Sequence, residues 1–248
     1  YVFYSKNEAL NGGNKKKELE LNSPIVFIQS GKNEGFSAGN NIGIKYALAK
    51  DDFKYIWLLN NDTVVKSNTL SLLENSFEKI SKSERLGVLG LVQYYYHEPE
   101  KIQAAAGGFN KWSGSFWNYQ TLNFNQNDVA YIYGASMFVK KEVFKEVGLL
   151  NENYFMYYEE IDFAERLKQY KYTQQVDKSI QIFHKHGSTT ATLDSDFRIY
   201  YLEKNKIKFY KTYYMYLVVI PIIKLIKNYI LNRFKKVYIK ALRDGMTS

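Results

Sequence analysis

Lys54–Val65 reads KYIWLLNNDTVV: an apolar strand that runs straight into two amides and a carboxylate and then turns away. A strand of Ile56, Trp57, Leu58 and Leu59 needs cover on both faces, as in the sheets of α/β proteins. Such sheets bind ligands at the carboxyl ends of their strands. Asn60, Asn61 and Asp62 would stand at that edge, held by a rigid element. Asp62 offers a hard oxygen suited to Mg²⁺ or Mn²⁺ on a diphosphate, and it equally suits a turn cap.

On either side the pattern alternates. Residues 1–4 (YVFY) read as a strand remnant, and the polar residues 5–22 as a loop. Pro24–Gln29 reads as a strand, and Gly31–Asn41 (GKNEGFSAGNN) as a glycine-spaced turn opening a helix over Ile42–Lys50. Such a turn can receive a phosphate on its free N–H groups, or simply start a helix. Leu70, Leu73, Phe77 and Ile80 repeat at helical spacing after Ser67 or Asn68. Val88–Gln93 is another strand. The alternation predicts a mostly parallel α/β sheet. Between Tyr94 and Asp128 the pattern loosens into loops and antiparallel strands around a groove. Tyr131–Lys140 is β-prone, a helix starts near Glu159, and Ile180–Phe183 delivers His184.

Two further clusters carry ionisable groups. Tyr154–Asp162 (YFMYYEEID) sets Glu159, Glu160 and Asp162 behind an aromatic run. The reading is a general base tuned by like charges and burial, or acids favoured at a helix start by its dipole. His184 and His186, two of three histidines, lie in FHKHGSTT. A neutral imidazole there can complete a metal site or serve the fold.

Charge separates the chain in two. Arg198–Ser248 holds 12 Lys or Arg against 2 acids, net +10, while residues 1–197 hold 22 against 23, net −1. A neutral body argues against nucleic acid as partner. There is no cysteine, so no disulfide or thiolate metal site, which fits a reducing compartment. The apolar run Tyr213–Ile223 is too short for a spanning helix of ~20 residues. Lys224–Lys240 mixes Leu225, Ile226, Ile230, Leu231 and Phe234 with basic residues, as an amphipathic helix on an anionic membrane does. Packing on the domain or on a second subunit is the alternative.

In order, NEGFSAGNNIGIKYAL, WLLNNDTVV, GASMFVKKEVFKEVGLLNENYFMYYEEIDFAERL, FHKHGST and YYLEKN resemble glycosyltransferase family 2, most of all its rhamnosyltransferase-like branch. The resemblance covers roughly residues 25–205 and extends to the terminal KALRDGM. It implies a GT-A fold, a Rossmann-like mixed sheet flanked by helices, over residues 1–205, with a basic amphipathic tail over 206–248. The family's first strand would lie before Tyr1, leaving an unpaired position in the sheet. The resemblance further implies an inverting transfer from a dTDP- or UDP-sugar, with Mn²⁺ or Mg²⁺. The expected acceptor is a glycan or lipid-linked polysaccharide at the inner face of the plasma membrane.

Carried over by position, Asp62 would bind metal and donor diphosphate, and His184 would lie near both. Asn33, Gly35, Gly39, Asn40, Asn60 and Asn61 would line the donor pocket, and Glu160 would be the base. Two residues depart from the family pattern. Asn60 replaces the first carboxylate of Asp-x-Asp. Glu160 replaces Asp, one methylene longer, so Glu159 or Asp162 could substitute. A non-catalytic carbohydrate-binding or scaffold relative is the alternative function, and the aromatic surface leaves room for a homodimer.

Overall fold

The computed structural model describes residues 1–21, 25–185, 195–232 and 235–248. Pro24, His186 and Phe234 lie outside the described residues. The chain opens with β1 (Val2–Ser5), two five-residue helices α1 (Lys6–Leu10) and α2 (Lys15–Leu19), and β2 (Val26–Gln29). The two helices replace the expected loop, and side-chain caps explain them. Ser5 and Glu8 form a reciprocal capping box, and Asn14 caps α2. Next come α3 (Phe36–Lys50), β3 (Tyr55–Leu59), β4 (Thr63–Val64), α4 (Thr69–Ile80) and β5 (Leu86–Tyr95). Strands β6 (Ile102–Ala104), β7 (Ala106–Asn110), β8 (Ser115–Tyr119) and β9 (Ser136–Lys140) precede α5 (Lys141–Glu146), α6 (Glu159–Gln169) and β10 (Thr173–His184). Helices α7 (Ser195–Tyr213), α8 (Val219–Leu231) and α9 (Lys236–Thr247) close the chain.

The main sheet has the order β3-β9-β5-β10-β4, with β6 beside β5. It is mixed rather than mostly parallel. Only β5 and β10 pair in parallel, because β9 inserts antiparallel between β3 and β5. β5 (LGVLGLVQYY) is buried at every position but the last, as a central strand must be. β3 lies at the sheet's edge, so Leu59 stays 37% exposed rather than covered on both faces. β1 and β2 form a separate parallel pair, and among the described residues β1 and β3 each have one strand partner. β7 and β8 form a hairpin beside the sheet.

Helix α4 buries Leu73 and Phe77 on one side of the sheet, and α5 and α6 bury Phe144, Phe163 and Leu167 on the other. α7 runs unbroken across the expected division at 205/206. The amphipathic segment expected over 224–240 is shared between α8 and α9. Part of it packs inward on α7: Leu225, Tyr238 and Ala241 join Ile207 in one cluster. Among the described residues no helix is long and apolar enough to cross a membrane.

Candidate active site

The strand end at Asn60–Asp62 is fixed by backbone hydrogen bonds. Asn60 N donates to Ala135 O (3.1 Å), and Thr63 N and Oγ1 both donate to Asn60 O. The chain then forms β4, which pairs with the end of β10, setting Thr63 opposite His184. That register brings Asp62 Oδ1 to 3.0 Å from His184 Nε2. The second imidazole nitrogen lies 3.0 Å from Gln103 Oε1, and Lys185 N donates to Asp62 O. Both side chains are largely covered, at 25% and 13% exposure. Among the described residues no group of three or more acids, histidines or cysteines could hold a metal. Asp62 and His184 are the two potential donors that this register brings together.

Glu160 sits at the start of α6, after a strained entry. Tyr157 and Tyr158 both adopt left-handed backbone, with φ of 65° and 78°, a conformation costly for non-glycine residues. Asn205 of α7 clamps it, donating from Nδ2 to Met156 O (2.8 Å) and Tyr157 O (3.1 Å). Glu160 Oε1 accepts from Gly134 N at 3.2 Å. The dipeptide Gly134–Ala135 therefore holds Glu160 from one residue and the Asn60 strand end from the next.

Glu160 faces a cavity of about 300 Å³ whose other lining residues are Phe116, Tyr131, Tyr133, Tyr157, Tyr158, Ile161 and Leu202. Burial raises the Glu160 carboxyl above the ordinary range, opposed by the Gly134 amide. Burial raises Glu159 further, and the Glu160 charge adds to it. Glu159 is 5% exposed, and its Oε2 lacks a hydrogen-bond partner. Two adjacent buried carboxyls do not both ionise easily. Glu159, whose Oε2 has no partner, is raised more than Glu160, whose Oε1 accepts from the Gly134 amide. Burial also raises the phenols of Tyr131, Tyr133 and Tyr158, so they stay neutral; the Tyr133 hydroxyl donates to Asn118 Oδ1 and that of Tyr158 has no partner.

Gly134 permits this approach. A Cβ there would lie 2.5 Å from the Phe36 ring and 3.4 Å from Glu160 Oε1. Gly134→Ala is expected to shift both and lower turnover by about 10²-fold, the scale of a 1 Å misplacement. Steady-state kinetics beside a thermal melt checks this: an unchanged rate in a folded variant would show that the contact does not position Glu160.

Asp162 has a different setting from its two neighbours. It is fully buried, and its carboxylate accepts from Arg166 Nε (2.9 Å), Asn151 Nδ2 (3.1 Å) and the Tyr213 hydroxyl (2.8 Å). These partners occupy both oxygens, and Asp162 is not among the residues lining the Glu160 cavity.

The glycine-rich segment also differs from the expected turn. Helix α3 begins at Phe36, so Gly39, Asn40 and Asn41 lie within it rather than before it. Asn33 Oδ1 accepts from Gly35 N, the local bond that tightens the entry. Gly35 has φ 93°, and a Cβ would come within 2.1 Å of Phe155 O. Its glycine is required by the packing of α3 against the loop before α6. Asn40 Nδ2 donates to Phe36 O of its own helix, and Asn41 is buried against Leu150 and Glu152. Gly39 is exposed, with open space at its Cα. Asn61 is exposed beside Asp62.

Sequence reasoning missed Gly134, Gln103, Asn205 and, of the cavity aromatics, Tyr131 and Tyr133. Asn205 had a signal, as the last residue of YYLEKN, and so had Gly134, as the first of GASMF. The others come together only in three dimensions.

A mixed sheet flanked by helices carries one carboxylate at a strand end and another in a cavity, and its fold is of the GT-A type. The model of glycosyl transferase family 2 matches residues 14–148, more than half of the chain, and the chain belongs to that family. It is 26% identical over 186 residues to the low-salt glycan biosynthesis hexosyltransferase Agl10 of Haloferax volcanii, covering 73% of this chain and 59% of that protein. It is also 26% identical over 94 residues to an N-acetylglucosaminyl-diphospho-decaprenol L-rhamnosyltransferase of Mycobacterium tuberculosis, covering 34% of this chain and 31% of that protein. The fold superposes on GalNAc-T7, crystallised with UDP, GalNAc and Mn²⁺, with a TM-score of 0.53 and 13% identity over 78% of this chain and 38% of that one. The chain thus spans less than two thirds of the length of each.

Proposed function

We propose that the chain is an inverting, metal-dependent glycosyltransferase that moves a hexosyl or rhamnosyl group from a dTDP- or UDP-sugar to a glycan or lipid-linked acceptor. The observation that carries this reading is Glu160, the one carboxylate among the residues lining the aromatic cavity, tied through Gly134–Ala135 to the strand end that bears Asp62. The relatives' names, a hexosyltransferase and a rhamnosyltransferase acting on a diphospho-decaprenol, support the sugar class and a lipid-linked acceptor. UDP and Mn²⁺ in the GalNAc-T7 structure support the donor class and the cation.

In this reading Glu160 takes a proton from an acceptor hydroxyl as its oxygen bonds to the anomeric carbon. The bond from that carbon to the diphosphate breaks on the opposite side, and the nucleoside diphosphate leaves with the electron pair. Phe116, Tyr131 and Tyr133 present flat apolar faces to a sugar ring and keep water from the base. Glu159 stays protonated and supports α6, and Asp162 anchors the helix rather than reacting. Asn33, Gly35, Gly39, Asn40, Asn60 and Asn61 form the donor side, with Asn33 and Gly35 shaping the entry to α3.

Asp62 and His184 are the residues that would hold Mn²⁺ or Mg²⁺. The Asp62 carboxylate and the His184 imidazole, in contact at 3.0 Å, are the oxygen and nitrogen donors the site would offer it. When bound, the cation stabilises the charge on the leaving diphosphate. Asp62→Ala is expected to weaken Mn²⁺-dependent binding of UDP or dTDP by at least about 10–100-fold. Calorimetric titration with and without Mn²⁺ checks it. Binding unaffected by the substitution would remove Asp62 from the donor site.

We assign residues 1–205 to transfer and 206–248 to attachment at the inner face of the plasma membrane, as a peripheral protein. The +10 charge of Arg198–Ser248 supports that attachment. A non-catalytic carbohydrate-binding role is favoured by one feature, Asn60 in place of a carboxylate, and metal-dependent donor turnover separates the two.

A further inference from the structure

Helix α8 is apolar on two opposite sides. Inward, Pro221 and Leu225 are buried. Just before and within α8, Val218 and Ile220 pack on the cluster of Tyr131, Tyr158 and Ile161 that walls the Glu160 cavity. Outward, Val219, Ile223, Ile226 and Ile230 are 44–60% exposed. Their spacing of four, three and four residues makes them one stripe along the helix. Tyr216, 65% exposed, continues the stripe, and the ring of Trp112, 63% exposed, lies 6.4 Å from it. A contiguous apolar surface rimmed by polar groups marks a contact with something else.

The charge of the tail says what that is. Residues 215–240 contain six Lys or Arg and no Asp or Glu. Lys227, Lys235, Lys236 and Lys240 are exposed. Lys235 lies 3.5 Å from Asp196, and Lys224 is held by the Ser113 carbonyl. In a two-fold dimer the same patch meets itself, which would bring this cationic tail against its own copy. An anionic surface complements it instead.

We propose that the outer face of α8, with Trp112 and Tyr216 at its end, seats in the plane of an anionic lipid bilayer. Thirteen residues make about 20 Å of helix, too short to span and suited to lie in the interface. Trp and Tyr favour the headgroup level. Ile220 of α8 belongs to the same aromatic cluster as Tyr131, Tyr158 and Ile161 of the cavity wall, so a bilayer on the outer face lies on the side of the molecule that carries this cluster. The inference deepens the membrane role proposed above and rests on that reading for its acceptor, though the lipid contact itself needs no transferase activity.

The test is co-sedimentation of the full chain with vesicles of phosphatidylcholine and phosphatidylglycerol (3:1), or of phosphatidylcholine alone. Wild-type protein should bind the anionic vesicles at least about tenfold more strongly, and should release in high salt as the Debye length shortens. The pair Ile223→Asp and Ile230→Asp should lose at least about tenfold, since an inserted face cannot bury carboxylates cheaply. Unchanged binding by this pair, or equal wild-type binding to both vesicles, overturns the proposal. So does a wild-type dimer in sedimentation equilibrium that the pair dissociates, which would make the stripe a self-contact. Should the pair unfold the tail, Trp112→Ala reads the same contact: brominated phosphatidylglycerol should quench wild-type tryptophan emission, and most of that quenching should vanish in the variant. Persistent quenching would place the lipid elsewhere. Nucleotide binding in lipid-free buffer, measured in parallel, reports on the transferase reading separately.

Discussion

Glu160→Gln is expected to lower turnover by ~10²–10⁴-fold, the usual worth of a general base, while nucleotide affinity stays at the wild-type level. Glutamine keeps an oxygen that can accept from Gly134 N, now 3.2 Å from Glu160 Oε1. It fills the same space in the aromatic cavity and lacks only the ability to take a proton. The pH profile gives a second reading. Burial raises the Glu160 pKa, so its charged, proton-accepting form is present above that raised value and lost as pH falls through it. Wild-type turnover should therefore decline on the acid side, beginning above the ordinary glutamate range. The residual rate of the glutamine variant should lack that limb. Glu159 should also ionise more readily in the variant, because the neighbouring charge that raises it is gone. Steady-state kinetics across pH, with nucleotide titration beside it, measures all of this. Full turnover in a folded Glu160→Gln protein would sink the base assignment.

The parts of this molecule that sequence reveals are those in which a local pattern and the tertiary environment agree. β5 is legible because a central strand must be apolar at every position. α6 is legible because Phe163 and Leu167 repeat on one face while acids gather at its start. Asp62 was visible as a carboxylate ending an apolar run. Its contact with His184, 122 residues away, required the register of β4 on β10. The start of α3 at Phe36 is hidden in the sequence because Gly39, Asn40 and Asn41 are poor helix formers. Tertiary bonds from Asn41 to Leu150 and Glu152 override that preference. The short α1 and α2 depend on single capping side chains rather than on a periodic face. The sheet's mixed character hangs on where β9 inserts, which no periodicity encodes. The cavity is assembled from Phe116, Tyr131, Tyr157 and Leu202, each on a different segment, so none is distinctive alone. The tail's basic apolar pattern was plain, but only the packing of Leu225, Tyr238 and Ala241 on α7 shows which sides turn inward.

Asp162→Ala should produce the largest loss of stability, about 3–5 kcal/mol, the range found when one partner of a buried ion pair is removed. Its carboxylate is completely enclosed and serves three donors from three segments: Arg166 one turn on in α6, Asn151 in the preceding loop, and Tyr213 at the end of α7. Alanine would strand the Arg166 guanidinium, which is 19% exposed and already has Nη2 without a partner. It would also strand the Tyr213 hydroxyl, whose pKa is raised by burial and by the Asp162 charge. At about 2–4 °C per kcal/mol for a chain of this size, the melting midpoint should fall by about 6–20 °C. Arg166 also reaches Val147 O, so the loop leading from α5 toward the cavity should loosen with it. Turnover separates this effect from catalysis. Well below the variant's midpoint, a positioning residue leaves most of the rate intact, whereas loss of the base removes it at every temperature. A midpoint within about 2 °C of wild type, less than 1 kcal/mol on the same scale, would show that Asp162 does not hold α6 in place. A low-temperature rate as poor as that of Glu160→Gln would instead return Asp162 to the reacting groups.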